Sequence, residues 1–339
     1  MDNLTHTLTA VAISQTGLNR KTRFATLTLV LAANAPDIDI LAGLKSSIDY
    51  LKYHRGIDHS FVGITVLAII LWGLIYGVGS KVKPKPGLPL NGRWLLLASF
   101  LGTGSHLLLD FTNAYGVRPF LPFRARWYAW DIMPIFDPLL VALLILGLAV
   151  PWLLRLVSEE VGARRPRLVP GAIFCLGAMV ALWGIRDIAH RRALSILDSH
   201  TYSGEEAGRF SALPMALDPF TWTGVVETDT SFHVVRVNAR EASGLPEEME
   251  TFEKPQSSPA LEAAMKTRTG RIFLDFARFP WAQVDESEDG YQVSIRDLRF
   301  FHAAARAPGF TLEVELDKNL GIRSEEFYFA GNGRKENDK

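Results

Sequence analysis

The sequence has almost no cysteine and no surplus of either charge. Its single cysteine, Cys175, excludes an intramolecular disulfide framework and a cysteine-rich zinc finger. The 36 Lys and Arg residues equal the 36 Asp and Glu residues, which argues against a protein that binds nucleic acid through a strongly basic face. The chain also lacks the G-x-S-x-G, Walker A, G-x-G-x-x-G and H-E-x-x-H motifs, so the chemistry these motifs carry is not indicated.

The zero net charge conceals two different halves. Residues 1–186 hold 18 basic and 10 acidic side chains, whereas residues 187–339 hold 18 basic and 26 acidic side chains. The first half is apolar with sparse charge, and the second half is charged throughout. We therefore expect a helical membrane domain at residues 1–186, an extramembrane domain at residues 187–330 and a disordered tail at residues 331–339.

Four apolar runs in the first half approach the length that a helix needs to cross a bilayer. A hydrocarbon core of about 30 Å needs about 20 helical residues, and four such runs are too many for one soluble core. The runs are Phe61–Gly79, Trp94–Leu109, Pro138–Leu154 and Leu168–Ile185. The shorter stretches Leu4–Leu18 and Thr22–Ala35 are compatible with a helical hairpin that does not fully cross. The predicted fold class is an α-helical polytopic membrane bundle followed by a small, mostly antiparallel β (α+β) domain.

Basic residues in short loops indicate the orientation of the bundle, because cytoplasmic loops carry an excess of Lys and Arg. Three loops carry such clusters, at residues 20–23, 81–93 and 155–167. Alternation of the helices puts all three on one face, which we expect to be cytoplasmic. Every His and Asp of the first half then lies at the outer end. The sequence thus predicts a multi-pass protein of the bacterial inner membrane with a periplasmic C-terminal domain.

The second half alternates apolar and polar residues, as half-buried strands do. The predicted strands are Phe232–Asn238, Arg271–Phe279, Tyr291–Phe300, Phe310–Leu316 and Glu326–Phe329, and Ser257–Lys266 is predicted to be a short helix. The histidines of this half, His190, His200, His233 and His302, show no ligand spacing. No motif in this domain indicates a reaction.

Residues able to bind a metal ion gather in the first half. His106 and Asp110 are four apart, so on a helix they share a face and can reach one metal ion or two adjacent ones. Ionisable groups inside a membrane run tend to be functional, although a hydrogen-bonded structural pair would have the same spacing. The first-half candidates for metal ligands are His6, Asp37, Asp39, His54, His59, His106 and Asp110.

Two of these groups have local reasons to bind a cation. Asp37 and Asp39 are close enough to repel unless a cation or hydrogen-bond donors lie between them, although a solvated helix end would look the same. The segment His54–His59 holds two imidazoles directly before a membrane run, and Gly56 would let the backbone turn sharply between them.

Nitrogen and carboxylate ligands without thiolate suit zinc, and also manganese or iron. Bound zinc lowers the pKa of its water to about 7, which favours hydrolysis by a metal-activated water. Arg55 and Arg118 would bind an anionic oxygen such as phosphate. The candidate catalytic residues are Asp37, Arg55, Asp58, Arg118 and Asp131.

The motifs of residues 1–185 resemble those of the YdjM-like, LexA-regulated inner-membrane proteins, a family described as metal-dependent hydrolases. The motifs are D-x-x-T-H at Asp2–His6, N-A-P-D-I-D at Asn34–Asp39, H-R-G-x-x-H-S at His54–Ser60 and S-H-L-L-L-D at Ser105–Asp110, followed by T-N-x-Y-G, R-P-F and W-D. Each motif alone is weak, but their shared order is specific. The resemblance implies a membrane protein and a metal-dependent hydrolase.

A more distant likeness is to zinc-dependent phospholipase C and the P1-type nucleases. Those enzymes bind zinc with an early His, an Asp, a second His and an H-x-x-x-D pair, an order that His6, Asp37 or Asp39, His54 or His59, and His106 with Asp110 follow. The further His ligands of those enzymes have no counterpart between Asp110 and His190. Either Asp131 and Asp137 replace them or one metal site is absent, so the number of ions, one to three, stays open.

The sequence therefore predicts an integral membrane hydrolase that cleaves a phosphoester, with a phospholipid as one candidate substrate. The alternative is a non-enzymatic membrane protein with a structural metal or polar cluster and an outer domain that binds a partner. A transporter is less favoured, because no inverted repeat is visible and the polar residues gather at one end rather than the midplane.

Overall fold

Seven α-helices account for most of the described residues up to position 198, and every apolar run lies in one of them. They are α1 (Asn3–Gln15), α2 (Ala25–Asn34), α3 (Ser47–Tyr53), α4 (Phe61–Lys81), α5 (Gly92–Phe111), α6 (Pro138–Glu160) and α7 (Val169–Asp198). Three 3-10 helices lie between them, at Leu18–Arg20, Pro36–Leu44 and Ile57–His59. The structure is a computed structural model that describes residues 1–82, 87–161, 168–241, 249–301 and 309–329.

The helices α4, α5, α6 and α7 are long and apolar enough to cross a membrane. This confirms the predicted helical membrane domain with its four spans. Only 6% of the apolar stretch of α4 is buried in the protein, as expected of a helix whose surroundings are lipid. The helix α2 passes the same test only together with Pro36–Leu44, from which it is bent by 46°.

The helices α2 and α5 pack closely through small residues. Leu29, Ala33 and Ala98 are buried in the same core cluster. A Cβ atom on Gly102 would lie 2.5 Å from the Cβ of Ala32 and 2.8 Å from the carbonyl oxygen of Leu29. Because real side chains do not come that close, the approach of the two helices depends on glycine at position 102.

A buried ion pair joins α7 to the start of α6. Arg186 Nη2 lies 2.6 Å from Asp137 Oδ2, and both side chains are fully buried. Asp137 Oδ1 also accepts a hydrogen bond from the backbone N–H of Leu140 at 2.9 Å. Asp137 was considered from the sequence as a replacement metal ligand, but its carboxylate is committed to Arg186 and to the helix start instead.

Two four-stranded sheets form the C-terminal part, after a short hairpin of β1 (Thr201–Tyr202) and β2 (Glu205–Glu206). The first sheet holds β3 (Arg209–Pro214), β4 (Thr221–Glu227), β5 (Ser231–Asn238) and β6 (Met249–Glu253) in chain order. The second holds β7 (Pro280–Ser287), β8 (Gly290–Asp297), β9 (Thr311–Asp317) and β10 (Ile322–Tyr328), in the order β10-β9-β8-β7. Helices α8 (Pro259–Lys266) and α9 (Arg268–Phe276) pack against this second sheet. The predicted antiparallel α+β domain is thereby confirmed.

One predicted strand was wrong, because Arg271–Phe279 lies mostly in helix α9. The Thr267 hydroxyl caps this helix by accepting a hydrogen bond from the backbone N–H of Gly270 at 2.8 Å. Phe273 and Phe276, three residues apart, are both buried, as one helix face requires. The other four predicted strands overlap β5, β8, β9 and β10, although the last three residues of Tyr291–Phe300 form a 3-10 helix, and the predicted short helix is α8.

The chain divides into two compact units, whose borders differ from the predicted one at residue 186. A helical unit holds Met1–Asp39, Arg55–His190 and Pro214–Phe220, and a sheet unit holds Ile40–His54, Arg191–Leu213 and Thr221–Lys339. The helix α7 continues past residue 186 to Asp198. The segment Ile40–His54 comes from the first half of the chain but belongs to the sheet unit. The predicted tail at 331–339 and His302 lie outside the described residues.

Candidate metal centre

Four ligand atoms from distant parts of the helical unit converge on one point. They belong to Asp37, His59, His106 and Asp110, and all lie within 4.8 Å of one another. His59 Nε2 and His106 Nε2 are 3.0 Å apart, and Asp110 Oδ2 lies 3.3 Å from the first and 3.5 Å from the second. Asp37 Oδ1 lies 3.7 Å from His59 Nε2 and 3.6 Å from His106 Nε2. We call these four residues the ligand group.

The helix α5 carries two members of the ligand group one turn apart, as their i, i+4 spacing predicts. His106 Nδ1 lies 2.7 Å from the carbonyl oxygen of Ala33. Since a carbonyl can only accept, Nδ1 carries the hydrogen and Nε2 presents its lone pair to the ligand group. The close approach of α2 and α5 at Gly102, one turn earlier, makes this hydrogen bond reachable.

His59 is oriented by carboxylates on the far side of its ring. Its Nδ1 lies 3.1 Å from Asp58 Oδ1 and 3.7 Å from Asp39 Oδ2, so a hydrogen on Nδ1 has a carboxylate acceptor and Nε2 faces the ligand group. Ser60 follows directly and caps α4 by accepting from the backbone N–H of Gly63 at 3.0 Å. A carboxylate bonded to the second nitrogen is the usual partner of a metal-binding histidine. Asp58 is thus placed to orient His59.

Two imidazole nitrogens only 3.0 Å apart repel each other unless a proton or a metal ion lies between them. Both rings are fully buried, so water does not screen their repulsion. Ligand atoms around a tetrahedral zinc ion, bound at 2.0–2.1 Å, lie roughly 3.3 Å apart. Five of the six separations run from 3.0 Å to 3.7 Å, which fits such an ion. The donor set of nitrogen and carboxylate oxygen also suits manganese or iron.

The other oxygen of Asp110 faces a different set of groups. His6 Nε2 lies 3.3 Å from Asp110 Oδ1, and the amino group of Met1 contacts the same oxygen. The His6 ring stacks on His106 with centroids 4.0 Å apart. His6 Nδ1 and Nε2 are both buried, and neither has a hydrogen-bond partner within the described residues, which leaves two buried polar atoms that a cation could satisfy. His6 therefore lies beside the ligand group, and its role as a metal ligand stays a prediction.

The side chain of Arg55 contacts Asp110 and donates hydrogen bonds to oxygen atoms of the protein. This side chain is almost fully buried, and Nη1 donates to Asn113 Oδ1 at 2.9 Å and to the Gly116 carbonyl at 3.0 Å. Nη2 lies 3.1 Å from Asp110 Oδ1. The backbone N–H of Arg55 donates to Asp39 Oδ2 at 2.8 Å. These contacts place the guanidinium where it orients Asp110, whereas the sequence suggested that it clamps substrate.

The sharp turn of this segment occurs at a different residue from the predicted one. The backbone of Arg55 is left-handed, with φ of +52°, whereas Gly56 has φ of −80°. A non-glycine residue in this region is strained unless its surroundings hold it there. The hydrogen bonds of both the backbone and the side chain of Arg55 supply that restraint.

Three predicted site residues are not members of the ligand group. The ring of His54 stacks on Tyr50 with centroids 4.5 Å apart, and His54 belongs to the sheet unit. The Arg118 guanidinium lies 4.5 Å from the ring centroid of Trp127, and Asp131 is buried with φ of +58°. Among the described residues, the ligand atoms that converge are those of the ligand group and of Asp39, Asp58 and His59.

The sequence did not assign roles to Asn113, Ala33 and Gly102. Asn113 Oδ1 accepts from Arg55 and from the backbone N–H of Tyr115 at 2.9 Å. Its place in T-N-x-Y-G, directly after the H-x-x-x-D helix, was the available signal. Ala33 contributes a backbone carbonyl oxygen, and Gly102 allows the backbones of α2 and α5 to come close. Neither contribution can be predicted from the residue type alone.

Comparison with known proteins yields matches for both parts of the chain. The family described as YdjM inner membrane protein matches residues 1–192, and the family described as YfhP C-terminal alpha/beta plait domain matches residues 259–330. "Uncharacterized protein YfhP" of Bacillus subtilis (strain 168) is 25% identical over 335 residues, which are 96% of this chain and 94% of that protein. No solved structure gives a significant match.

Proposed function

The chain belongs to the YdjM inner membrane protein family, and from this premise we propose that it is a metal-dependent hydrolase of the bacterial inner membrane that cleaves phosphoesters of membrane lipids. The observation that carries the proposal is the pair of buried Nε2 atoms of His59 and His106, 3.0 Å apart. Both atoms are turned toward one point by hydrogen bonds on the opposite side of the rings. Together with the carboxylate oxygens of Asp37 and Asp110 around the same point, such an arrangement supports a bound cation.

Unequal distances within the ligand group suggest two kinds of member. His59, His106 and Asp110 are separated by 3.0–3.5 Å, whereas Asp37 lies 3.6–3.7 Å from the two imidazoles. Asp37 is also the member with solvent access, at 20% exposure of its side chain. Catalytic zinc sites have three protein ligands and a fourth position for water or substrate. In this proposal, Asp37 borders that fourth position.

In this proposal, different residues of the chain have different roles in hydrolysis. A bound divalent ion would polarise a phosphoryl oxygen and lower the pKa of water, to about 7 for zinc. Asp37 Oδ2 is buried without a hydrogen-bond partner in the described part of the chain, so it can accept the proton of the attacking water. Arg55 holds Asp110 in place, and Asp58 holds His59. Arg118 remains the candidate for binding the phosphate oxygens.

The level of the ligand group along the spans supports a lipid substrate. His106 and Asp110 lie in the last two turns of α5, and His59 lies two residues before α4 begins. His106 is about 8 Å along the helix axis from the end of α5, at 1.5 Å per residue. Lipid phosphates lie in the polar layer just outside the hydrocarbon core. A group at the end of two spans thus meets phosphate at the level where lipids carry it.

The test is metal content and hydrolysis in detergent-purified full-length protein. We expect bound metal and cleavage of a fluorescent phospholipid, both lost in His106→Ala while membrane insertion persists. His200→Ala is the matched control, because the His200 ring bonds the carbonyl oxygen of Ile196 in the second half of the chain, and it should keep both properties. Full hydrolysis by His106→Ala would overturn the proposal. Cleavage of a soluble phosphoester with no phospholipid cleavage would refute only the lipid substrate.

A structural metal site is the second candidate, and one observation favours it. If Asp37 binds together with the other three members, four protein ligands close a tetrahedral shell and leave no open position. The absorption spectrum of the cobalt-substituted protein distinguishes the two functions. A fourth ligand that exchanges with added phosphate supports the enzyme, and a spectrum insensitive to phosphate supports the structural site.

A further inference from the structure

A short segment of the first half of the chain lies within the sheet unit. Residues Ile40–His54 separate Asp39 from Arg55 in the sequence, and both of these residues belong to the helical unit. The segment includes helix α3, which packs against α9 and β10. The chain therefore leaves the candidate metal centre after Asp39, contributes a helix to the sheet unit and returns at Arg55.

The contacts of α3 in the sheet unit are of several kinds. Leu51 is almost fully buried, at 2% exposure. The ring of Tyr50 meets Phe329 edge-on, with centroids 5.1 Å apart. Asp49 Oδ1 lies 2.6 Å from Arg268 Nη2, at the first residue of α9. Because apolar and ionic contacts act together, α3 is held as part of the sheet unit rather than as a loose loop.

The two ends of this segment meet at the candidate metal centre. The backbone N–H of Arg55 donates to Asp39 Oδ2 at 2.8 Å. Asp37 lies two residues before the segment's entry, and His59 lies four residues after Arg55. Two members of the ligand group therefore flank a segment whose order depends on the sheet unit.

We propose that docking of α3 in the sheet unit positions Asp37 and His59 for metal binding. The proposal rests on the proposed function, since it concerns the same ligand group. A free chain between Asp39 and Arg55 would lose conformational entropy each time its ends closed on an ion. The docked helix has lost that entropy on folding, so the ion meets ligands that are already in place. In this proposal, Leu51, Asp49 and Arg268 are positioning residues of a site that they do not touch.

The first experiment weakens the docking of α3 and measures Zn²⁺ affinity of the full-length protein against a chromogenic chelator. Leu51→Asp should lower the affinity by about tenfold or more, because it frees the whole segment. Arg268→Asp and Asp49→Arg should each lower it by at most about fivefold, as the pair is partly exposed. The double charge exchange should restore it. The cobalt absorption spectrum should change in Leu51→Asp, because it reports ligand geometry rather than stability.

A second variant lengthens the chain before α3 without disturbing the packing of this helix. Insertion of Gly-Ser-Gly-Ser between Lys45 and Ser46 lengthens the connection and leaves the buried residues in place. We expect a weaker Zn²⁺ affinity, whereas the same insertion between Glu288 and Asp289, in the β7–β8 turn, should leave it unchanged. Wild-type affinity in both Leu51→Asp and the Lys45 insertion would overturn this proposal alone. Wild-type protein that binds no Zn²⁺ would overturn the proposed function as well.

Discussion

Arg186 and Asp137 form an ion pair from which water is fully excluded, with Nη2 and Oδ2 2.6 Å apart. Replacement of Arg186 by Leu leaves an unpaired carboxylate at the start of α6. Loss of one partner of a buried pair costs about 3–5 kcal/mol. We expect a lower midpoint of thermal unfolding in detergent for Arg186→Leu. Asp187→Ala, which removes the acceptor of a partly buried hydrogen bond from Trp130, should have a clearly smaller effect, and equal effects would contradict the prediction.

Glycine at position 102 sets the distance between α2 and α5. Gly102→Ala forces the helices apart, because its Cβ would lie 2.5 Å from that of Ala32. Overpacking of this kind costs about 1–3 kcal/mol, and it moves His106 away from the Ala33 carbonyl. We therefore expect weaker Zn²⁺ binding in chelator competition. The control is Gly104→Ala, where a Cβ would meet nothing within 4 Å, and unchanged binding in both variants would refute the packing argument.

Substitution of Arg55 and of Arg118 by Lys should change different properties of the protein. Arg55→Lys keeps the charge but loses the planar fork that reaches Asn113 and Gly116, so metal affinity and kcat should both fall. Arg118→Lys should raise KM for a phosphoester and leave metal affinity unchanged. Steady-state kinetics together with metal titration separate the two cases. A pure KM effect in Arg55→Lys would restore its original assignment as a substrate ligand.

His233 makes the sheet unit less stable in acid. Its buried ring bonds Ser231 and Thr251, and burial lowers its pKa, although Glu253 and Glu205 act in the opposite direction. The unfolded chain, with a pKa of about 6.5, then binds more protons, so stability is present above that pH and is lost as the pH falls through it. Hydrogen exchange of β5 amides, corrected for intrinsic rates, should quicken by about threefold from pH 7 to pH 5.5. His233→Gln should abolish this extra dependence, and its persistence would exclude His233 as the cause.

The orientation of the bundle can be tested with reporters fused after Lys339. The three basic loops predict that their face is cytoplasmic, which places the C-terminus outside. A periplasmic phosphatase reporter should be active in cells and a cytoplasmic fluorescent reporter weak. The reverse pattern would invert the orientation and place the ligand group at the inner face.

The membrane fold was predictable because a span is a local property. The run Phe61–Gly79 is apolar on every side, and the helix α4 coincides with it within two residues. Within the ligand group, the pairing of His106 with Asp110 was predictable because the two residues share a helix face by spacing alone. In both cases, the information lies within one short stretch of sequence.

Other features depend on contacts with remote residues, which spacing does not reveal. The segment Arg271–Phe279 has a mixed pattern that fits a strand or a helix, and the cap at Thr267 and the burial of Phe273 and Phe276 decide for the helix. The membership of Ile40–His54 in the sheet unit depends on Arg268 and Phe329, more than 200 positions away. The role of Arg55 depends on Asn113 and Gly116 in the same way.

Asp110 offers its two oxygens to different neighbours, Oδ2 to His59 and His106 and Oδ1 to His6, Arg55 and the amino group of Met1. Two cationic groups already face Oδ1, so Oδ2 is the oxygen left for a metal ion. One residue therefore fastens the amino terminus and the ligand group together. Replacement of Asp110 should release both at once, whereas replacement of His6 should leave the Met1 contact in place.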